Sequence, residues 1–374
     1  MIETLANSSH LASRLRERIV REGPMSFCDW MKAALYDQED GYYSGGRAKW
    51  GREGDYRTNP ERSDLFAATF AGYFSKLYAK LGSPSKWTLL ECGAGSGHFA
   101  EGVLQTLQTS YPDVFAATSY VIDEVSAHSR SLAERRLKAF ADRVKFKTLD
   151  EVEIESGVVF SNELLDAFPV HRIIRQDGKL REFYVALGSG GDFEWLIDDP
   201  ELGLLSSLDE YFAELSFQLE EGQIAEVSLE TENWLRTVAN KLGRGFVVTV
   251  DYGAATEDLV AKDAGTLRGF RAHQFVDDLL ARPGEHDLTT TVNWSFVKAA
   301  GERLGLRVVE FERQDKFLLA AGFLEQLEVR SRQCETEAER LHVTTAAREM
   351  ILPDGMASHF QVLVQEKIGS EPPA

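Results

Sequence analysis

From Trp87 onward, short apolar runs of strand length alternate with longer amphipathic stretches, and this alternation limits the folds open to the chain more than any other feature. Trp87 to Glu91, Ser119 to Asp123, Val144 to Phe146 and Gly157 to Ser161 read as strands; Phe99 to Leu107 and Ser126 to Phe140 read as helices between them. Strands separated by helices pair in parallel through right-handed crossovers. The pattern predicts an α/β fold with a mostly parallel sheet and helices on both faces. At 170–198 the rhythm breaks into short alternating segments around Gln176-Asp177-Gly178 and Gly188-Ser189-Gly190-Gly191, which read as an inserted hairpin continuing into a helix at 204–220. Alternation resumes with a helix at 230–242, the strand Gly245 to Val250, a long loop through Pro283, a helix at 293–304 and a strand at 306–312. The tail reads as a helix followed by a short strand, Gln361 to Val364.

Upstream, Leu11, Leu15, Ile19, Met31, Ala34 and Leu35 recur at helical spacing, broken by a turn at Gly23-Pro24. The stretch 40–60 mixes Gly41, Gly45, Gly46, Gly51 and Gly54 with Tyr42, Tyr43, Trp50 and Tyr56, the composition of a long functional loop. An amphipathic helix at 63–81, capped by Ser63, follows. A chain of 374 residues exceeds what one hydrophobic core usually holds. Three parts are expected: a helical N-terminal region at 1–82 carrying the 40–60 loop, a main domain at 83–169 and 225–374, and an inserted α+β subdomain at 170–224.

Composition narrows the functional classes. With 41 basic against 60 acidic residues the net charge is −19, which repels polyanions, so no nucleic-acid partner is expected. No apolar run is long enough for a membrane span, and none is expected. Cys28, Cys92 and Cys334 are odd in number and widely spaced, and the histidines fall into no metal-binding spacing. These features, with an N-terminus lacking a signal or transit pattern, give the expectation of a cytoplasmic protein without a bound metal. Oligomeric state has no signature in the sequence.

The strand ending at Glu91 runs into Cys92-Gly93-Ala94-Gly95-Ser96-Gly97 and then a helix. Glycines at alternate positions permit a tight turn and close ligand approach, and the helix start offers unpaired N–H groups. The dinucleotide fingerprint would need a third glycine at 98, where the chain has His98, and there is no phosphate-binding G-x-x-x-x-G-K-[ST]. An acid followed by G-x-G-x-G resembles instead the first motif of class I, Rossmann-like methyltransferases. In that setting Glu91, Gly93, Gly95 and Gly97 are candidate cofactor-binding residues. Glu124, ending the next strand, is the candidate acceptor for ribose hydroxyls, with Asp123 competing and a helix-start acid as the plain alternative. Ser161-Asn162-Glu163-Leu164-Leu165-Asp166-Ala167-Phe168-Pro169-Val170 follows the fourth strand, so Asn162, Glu163 and Asp166 are expected to face the crevice at the carboxyl ends of the strands. Gly54, Asp55 and Thr58 lie in the glycine-rich loop expected to fold over the cofactor. Cys92 reads as a core residue, and His98 as a helix-surface residue, with contact to the cofactor as the alternative.

Taken in order, Glu22-Gly23-Pro24-Met25-Ser26-Phe27, Asp40-Gly41-Tyr42-Tyr43, Gly54-Asp55-Tyr56, the glycine loop, Glu124-Val125-Ser126, Asn162 to Val170, Asp251-Tyr252-Gly253 and Pro283-Gly284-Glu285-His286-Asp287-Leu288-Thr289 resemble the MidA-like family, which includes a mitochondrial protein-arginine methyltransferase acting in complex I assembly. Arg57, Arg62, Ala94 and Asn293 depart from its pattern. The resemblance implies S-adenosyl-L-methionine as cofactor and arginine of a partner protein as methyl acceptor. Glu163 and Asp166, with Asp55 third, are then the candidates for orienting a guanidinium that is otherwise protonated to beyond pH 12. Methylation of a small oxygen or nitrogen nucleophile, and a non-catalytic cofactor-binding assembly role, are the competing readings.

Overall fold

The computed structural model describes residues 10–44, 64–271, 274–352 and 359–369. Its main sheet contains β1 (Trp87–Cys92), β2 (Thr118–Asp123), β3 (Val144–Phe146), β4 (Ile154–Asn162), β5 (Leu242–Ala254), β6 (Arg307–Arg313) and β7 (Phe360–Lys367) in the order β6-β7-β5-β4-β1-β2-β3, and the short strand Val292–Asn293 pairs with the end of β5. Strands β1 to β5 run parallel, and β7 runs antiparallel to both β5 and β6. Successive residues feed opposite cores, as the period of two requires. Leu89, Val158 and Phe246 join one cluster, and Leu90, Val159 and Val247 the other. Burial on both faces explains why these strands read as continuous apolar runs.

Helices α1 (His10–Glu22) and α2 (Phe27–Tyr36) open the chain. Ser26 caps α2, its Oγ accepting from the Asp29 N–H at 3.1 Å. Helix α3 (Asp64–Lys80) packs on α4 (His98–Ser110). The approach is close because Gly102 has no side chain; a Cβ there would lie 2.6 Å from that of Ala67. Phe99 from α4 stacks on Phe160 of β4, ring centres 4.2 Å apart, anchoring the helix behind the glycine loop.

A second sheet pairs Met25–Ser26, Lys179–Leu187, His171–Gln176 and Ile224–Val227, with Phe193–Asp198 also on Lys179–Leu187. The strand before α2 thus joins the hairpin that follows the fourth main strand. Two expectations are corrected. The stretch before Pro283 is not simply a loop, because Arg268–Arg271, Gln274–Phe275 and Asp287–Thr289 form a three-stranded antiparallel sheet. Among the described residues the tail holds three helices, Gln314–Ala321, Phe323–Gln333 and Glu337–Ile351, before β7. Gly322, with φ 110°, separates the first two by a left-handed turn. Among the described residues no helix is long and apolar enough to cross a membrane.

Candidate functional site

A pocket opens at the carboxyl ends of β1, β2 and β4, where an open parallel sheet binds ligands. Its wall includes Glu91, Gly93, Gly95, Glu124, Asn162 and Glu163, together with Tyr36, Tyr43 and His98. Gly93, Gly95 and Gly97 have φ of 74°, 54° and 80°, a left-handed path that side chains disfavour. Gly97 starts α4 and has a second constraint: a Cβ would meet that of Ala133 at 3.0 Å. His98 was expected on the helix surface; it lies on the pocket wall, with Nδ1 2.8 Å from Ser96 Oγ.

Glu124 and Asp123 separate cleanly. Glu124 bridges the loop to the next helix, its carboxylate accepting from the Gly95 and Ser126 N–H groups, each at 2.7 Å. Asp123 turns away and accepts from Leu149 N–H at 2.9 Å. Glu91 is buried and accepts from the Tyr120 hydroxyl at 2.7 Å. Burial, only partly offset by that bond and reinforced by Glu124, pushes its carboxyl up to about 8. Burial likewise pushes up the Cys92 thiol, as befits a core cysteine.

The Glu91 shift carries a pH prediction. Between its ordinary 4.5 and about 8, the folded protein keeps a proton that the unfolded chain has lost. A raised carboxyl thus favours folding at low pH, and stability falls as pH rises through this window, by up to about 1.4 kcal/mol per unit. Urea unfolding of the ligand-free protein at about pH 5.5 and 7.5 should show wild type losing about 2 to 3 kcal/mol relative to Glu91→Gln. Equal losses would mean that Glu91 ionises normally.

The turn after β4 is held from behind. Glu163 has φ 52°, costly for a residue with a side chain, and its N–H donates to Val250 carbonyl at 2.9 Å. Asp251, fully buried at the end of β5, accepts from the N–H groups of Leu164, Leu165 and Asp166 at 3.2, 3.0 and 3.4 Å and from Tyr252 N–H at 2.9 Å. Burial beside Asp166 and Glu163 pushes the Asp251 carboxyl up against the pull of these donors. Asn162 Nδ2 donates to Glu163 Oε1 at 3.0 Å.

Asp166 does not reach the pocket wall as expected. It sits in the short helix Leu165–Ala167 and its carboxylate is turned back, accepting from the Thr289 hydroxyl at 2.9 Å, while Thr290 N–H donates to its carbonyl at 3.0 Å. Asp287 accepts from the Tyr43 hydroxyl at 2.9 Å, and Tyr36 donates to Ala167 carbonyl at 2.9 Å. The segments 40–43, 163–167 and 284–290 therefore close around one turn; a Cβ on Gly284 would stand 2.2 Å from Asp40 carbonyl. The sequence placed Tyr43 in a functional loop and Asp251 in a family motif without assigning either a contact, and it gave Tyr36 no role. Asp55, Gly54 and Thr58 lie outside the described residues, as do Arg57 and Arg62. Arg268 is half-buried in a strand, its guanidinium 5.0 Å from the Tyr252 ring centre. Asn293 caps the helix Trp294–Arg303, accepting from Phe296 N–H at 3.2 Å. Among the described residues one group, His10, Glu39 and Asp40, could bring metal-ligating atoms together, though Arg14 already binds Asp40 at 3.0 Å.

These features fit a sulfonium nucleoside carrying an amino acid. The left-handed glycine path leaves backbone open to the ligand, Glu124 puts a carboxylate on the pocket wall, and Asn162 Oδ1 is buried with no donor among the described residues. A buried acceptor without a donor is costly unless a ligand supplies one.

Comparison with known proteins agrees. The profile of the S-adenosyl-L-methionine-dependent methyltransferase family matches residues 69–312, more than half of the chain. The mitochondrial protein arginine methyltransferase NDUFAF7 homolog of Drosophila melanogaster is 28% identical over 333 residues, covering 80% of this chain and 72% of its own. Its Caenorhabditis elegans counterpart is 24% identical, covering 78% and 71%. A Burkholderia thailandensis protein crystallised with S-adenosyl-homocysteine superposes with a TM-score of 0.84 at 28% identity, covering 98% of this chain and 94% of that one. The relatives' names also overturn the cytoplasmic location expected from the N-terminus and cysteines, since they are mitochondrial proteins. The chain belongs to the S-adenosyl-L-methionine-dependent methyltransferases, and S-adenosyl-L-methionine is its cofactor.

Proposed function

We propose that the protein methylates arginine side chains of a partner protein. The observation that carries this is the pair of acids on the pocket wall, Glu124 and Glu163, with Asp287 behind them; Glu91 beside them keeps its proton up to about pH 8 and adds no charge. A concave site lined by one sign of charge draws cations, and both the sulfonium cofactor and a guanidinium are cations. The related NDUFAF7 proteins are named arginine methyltransferases, which supports the same acceptor.

In this reading Gly93, Gly95 and Gly97 cradle the cofactor, Glu124 accepts its ribose hydroxyls, Asn162 Oδ1 accepts from its amino group, and Glu91 supports the loop. The bound cofactor supplies a methyl group already activated by its sulfonium, so alignment of the nucleophile dominates catalysis. Glu163 takes hydrogen bonds from the guanidinium, localises the lone pair on the attacking nitrogen and accepts its proton. Asp166, behind the wall, is a positioning residue acting through Thr289; Asp55 is the remaining candidate for guanidinium contact. The N-terminal region at 1–82 and the insertion at 170–224 flank a cofactor domain formed by 83–169 and 225–374.

Incubation with methyl-labelled S-adenosyl-L-methionine and cell extract tests the reading. Label is expected in a protein band and, after acid hydrolysis, in methylarginine. Label confined to small molecules would overturn the acceptor, and binding of S-adenosyl-homocysteine without any transfer would make the protein a non-catalytic binder.

A further inference from the structure

Phe193–Asp198 is an outer strand of the second sheet. Among the described residues it pairs with Lys179–Leu187 alone, so along its other edge backbone N–H and C=O groups have no strand to meet them. Such edges are commonly blunted by brevity, lysine or proline; this one is six residues long and has neither lysine nor proline. Trp195, Leu196 and Ile197 in its middle are 36, 37 and 38% exposed. The strand is nevertheless held firmly. Trp195 stands opposite Val185 in register and packs on Phe27 and Phe183, with ring centres 5.0 and 5.8 Å away. An anchored, unpaired, apolar edge is a template for a further strand.

The charges on this edge select what can be added. Side chains alternate between faces, so Glu194, Leu196 and Asp198 share one face, with an acid on either side of an apolar residue. The cations nearby are engaged elsewhere: Arg181 binds Asp199 at 2.6 Å, and Arg16 and Arg172 donate to the Gly191 and Ala264 carbonyls at 2.9 and 2.6 Å. Among the described residues neither Glu194 nor Asp198 has a cationic partner. A second copy of the chain does not fit. Antiparallel pairing of the strand with itself about Leu196 sets Glu194 opposite Asp198, and pairing about Trp195 sets Asp192 opposite Asp198; like charges directly opposite destabilise a strand pair. We infer that the methyl-acceptor protein docks here, adding an extended segment of the pattern basic-x-apolar-x-basic to the Phe193–Asp198 edge. The inference rests on the proposed protein acceptor. The edge is within reach of the pocket, because α2 runs from Phe27, against Trp195, to Tyr36 on the pocket wall. Its ten residues span about 15 Å, or about five residues of extended chain.

The full chain with bound S-adenosyl-homocysteine is titrated with fluorescent peptides. One has the core Lys-Thr-Val-Thr-Lys; another, Lys-Thr-Pro-Pro-Lys, has the same charge, but its adjacent prolines remove a ladder N–H in either alternation. The first should bind at least about tenfold tighter than the second and slow hydrogen exchange of outward-facing amides within 194–198 at least about tenfold. Glu194→Lys/Asp198→Lys should lose at least about tenfold in affinity for the lysine peptide and gain affinity for Glu-Thr-Val-Thr-Glu, with unchanged S-adenosyl-homocysteine affinity certifying its fold. In cell extract the same variant should transfer at least about tenfold less label to protein. Equal binding of the two lysine peptides, unaltered exchange at 194–198, or undiminished peptide binding or labelling by the folded double variant would overturn the docking. Peptide binding involves no methyl transfer, so the two readings fail separately. Methylarginine made by a protein whose edge captures no peptide would sink the docking and leave the acceptor standing, whereas label confined to small molecules would sink the acceptor and the docking with it.

Discussion

Glu163→Gln is expected to lower turnover by about 10³-fold, within the 10² to 10⁴ range of a positioned proton acceptor, and to leave cofactor affinity within about threefold. The substitution keeps the shape and the acceptor for Asn162 Nδ2, which lies 3.0 Å from Glu163 Oε1. It keeps the backbone bond from Glu163 N–H to Val250 carbonyl as well. What it removes is the charge that, in the proposed reaction, accepts a proton and localises the guanidinium lone pair. Two measurements are needed: methyl transfer under saturating cofactor, and calorimetry with S-adenosyl-homocysteine. Turnover within about threefold of wild type would remove Glu163 from the chemistry. A parallel collapse of cofactor affinity would assign it to binding instead.

The parts of the fold that were legible in sequence are those whose signal is local. Trp87 to Glu91 and Gly157 to Ser161 announce themselves because a strand buried on both faces is mostly apolar, and the glycine loop because its backbone path excludes side chains. The pairing of Met25–Ser26 with Tyr184 and Val185 has no local signal, since two residues carry no periodicity. The sheet at 268–289 escaped for the same reason, its strands being four, two and three residues long. Within the site, Glu124 could be ranked above Asp123 but not separated from it; only the hydrogen bond from Leu149 decides which acid faces the pocket. Asp166 was misplaced because sequence gives its position in a turn but not the side to which a short helix rotates it. The location of the relatives lies beyond what charge and cysteine spacing encode.

Asp251 is the clearest case of a residue that sequence could not assign, and it yields the largest expected stability effect. It is separated from the turn it serves by more than eighty residues, yet β4 and β5 are neighbours in parallel register, with Val250 opposite Asn162. Its carboxylate therefore meets the start of the turn and collects its N–H groups as a cap would. Asp251→Ala leaves four N–H groups without their acceptor, two of them fully buried, and a cost of about 3 to 5 kcal/mol is expected, since each buried donor left unsatisfied costs about 1 to 3 kcal/mol. In Asp251→Asn one oxygen remains to accept while the amide nitrogen opposes the other donors, so about half the loss should return. The amides of Leu164, Leu165 and Asp166 should exchange with solvent at least about a hundredfold faster in the alanine variant, since each 1.4 kcal/mol is a factor of ten. Turnover should fall with them, because the φ of 52° at Glu163 is sustained only by the surrounding bonds. Glu163→Gln, by contrast, should lose turnover with amide protection intact. Unchanged exchange at 164–166 in Asp251→Ala would mean that β4 and the segment 287–290 hold the turn without Asp251, and the site would then owe its geometry to the Thr289 contact with Asp166.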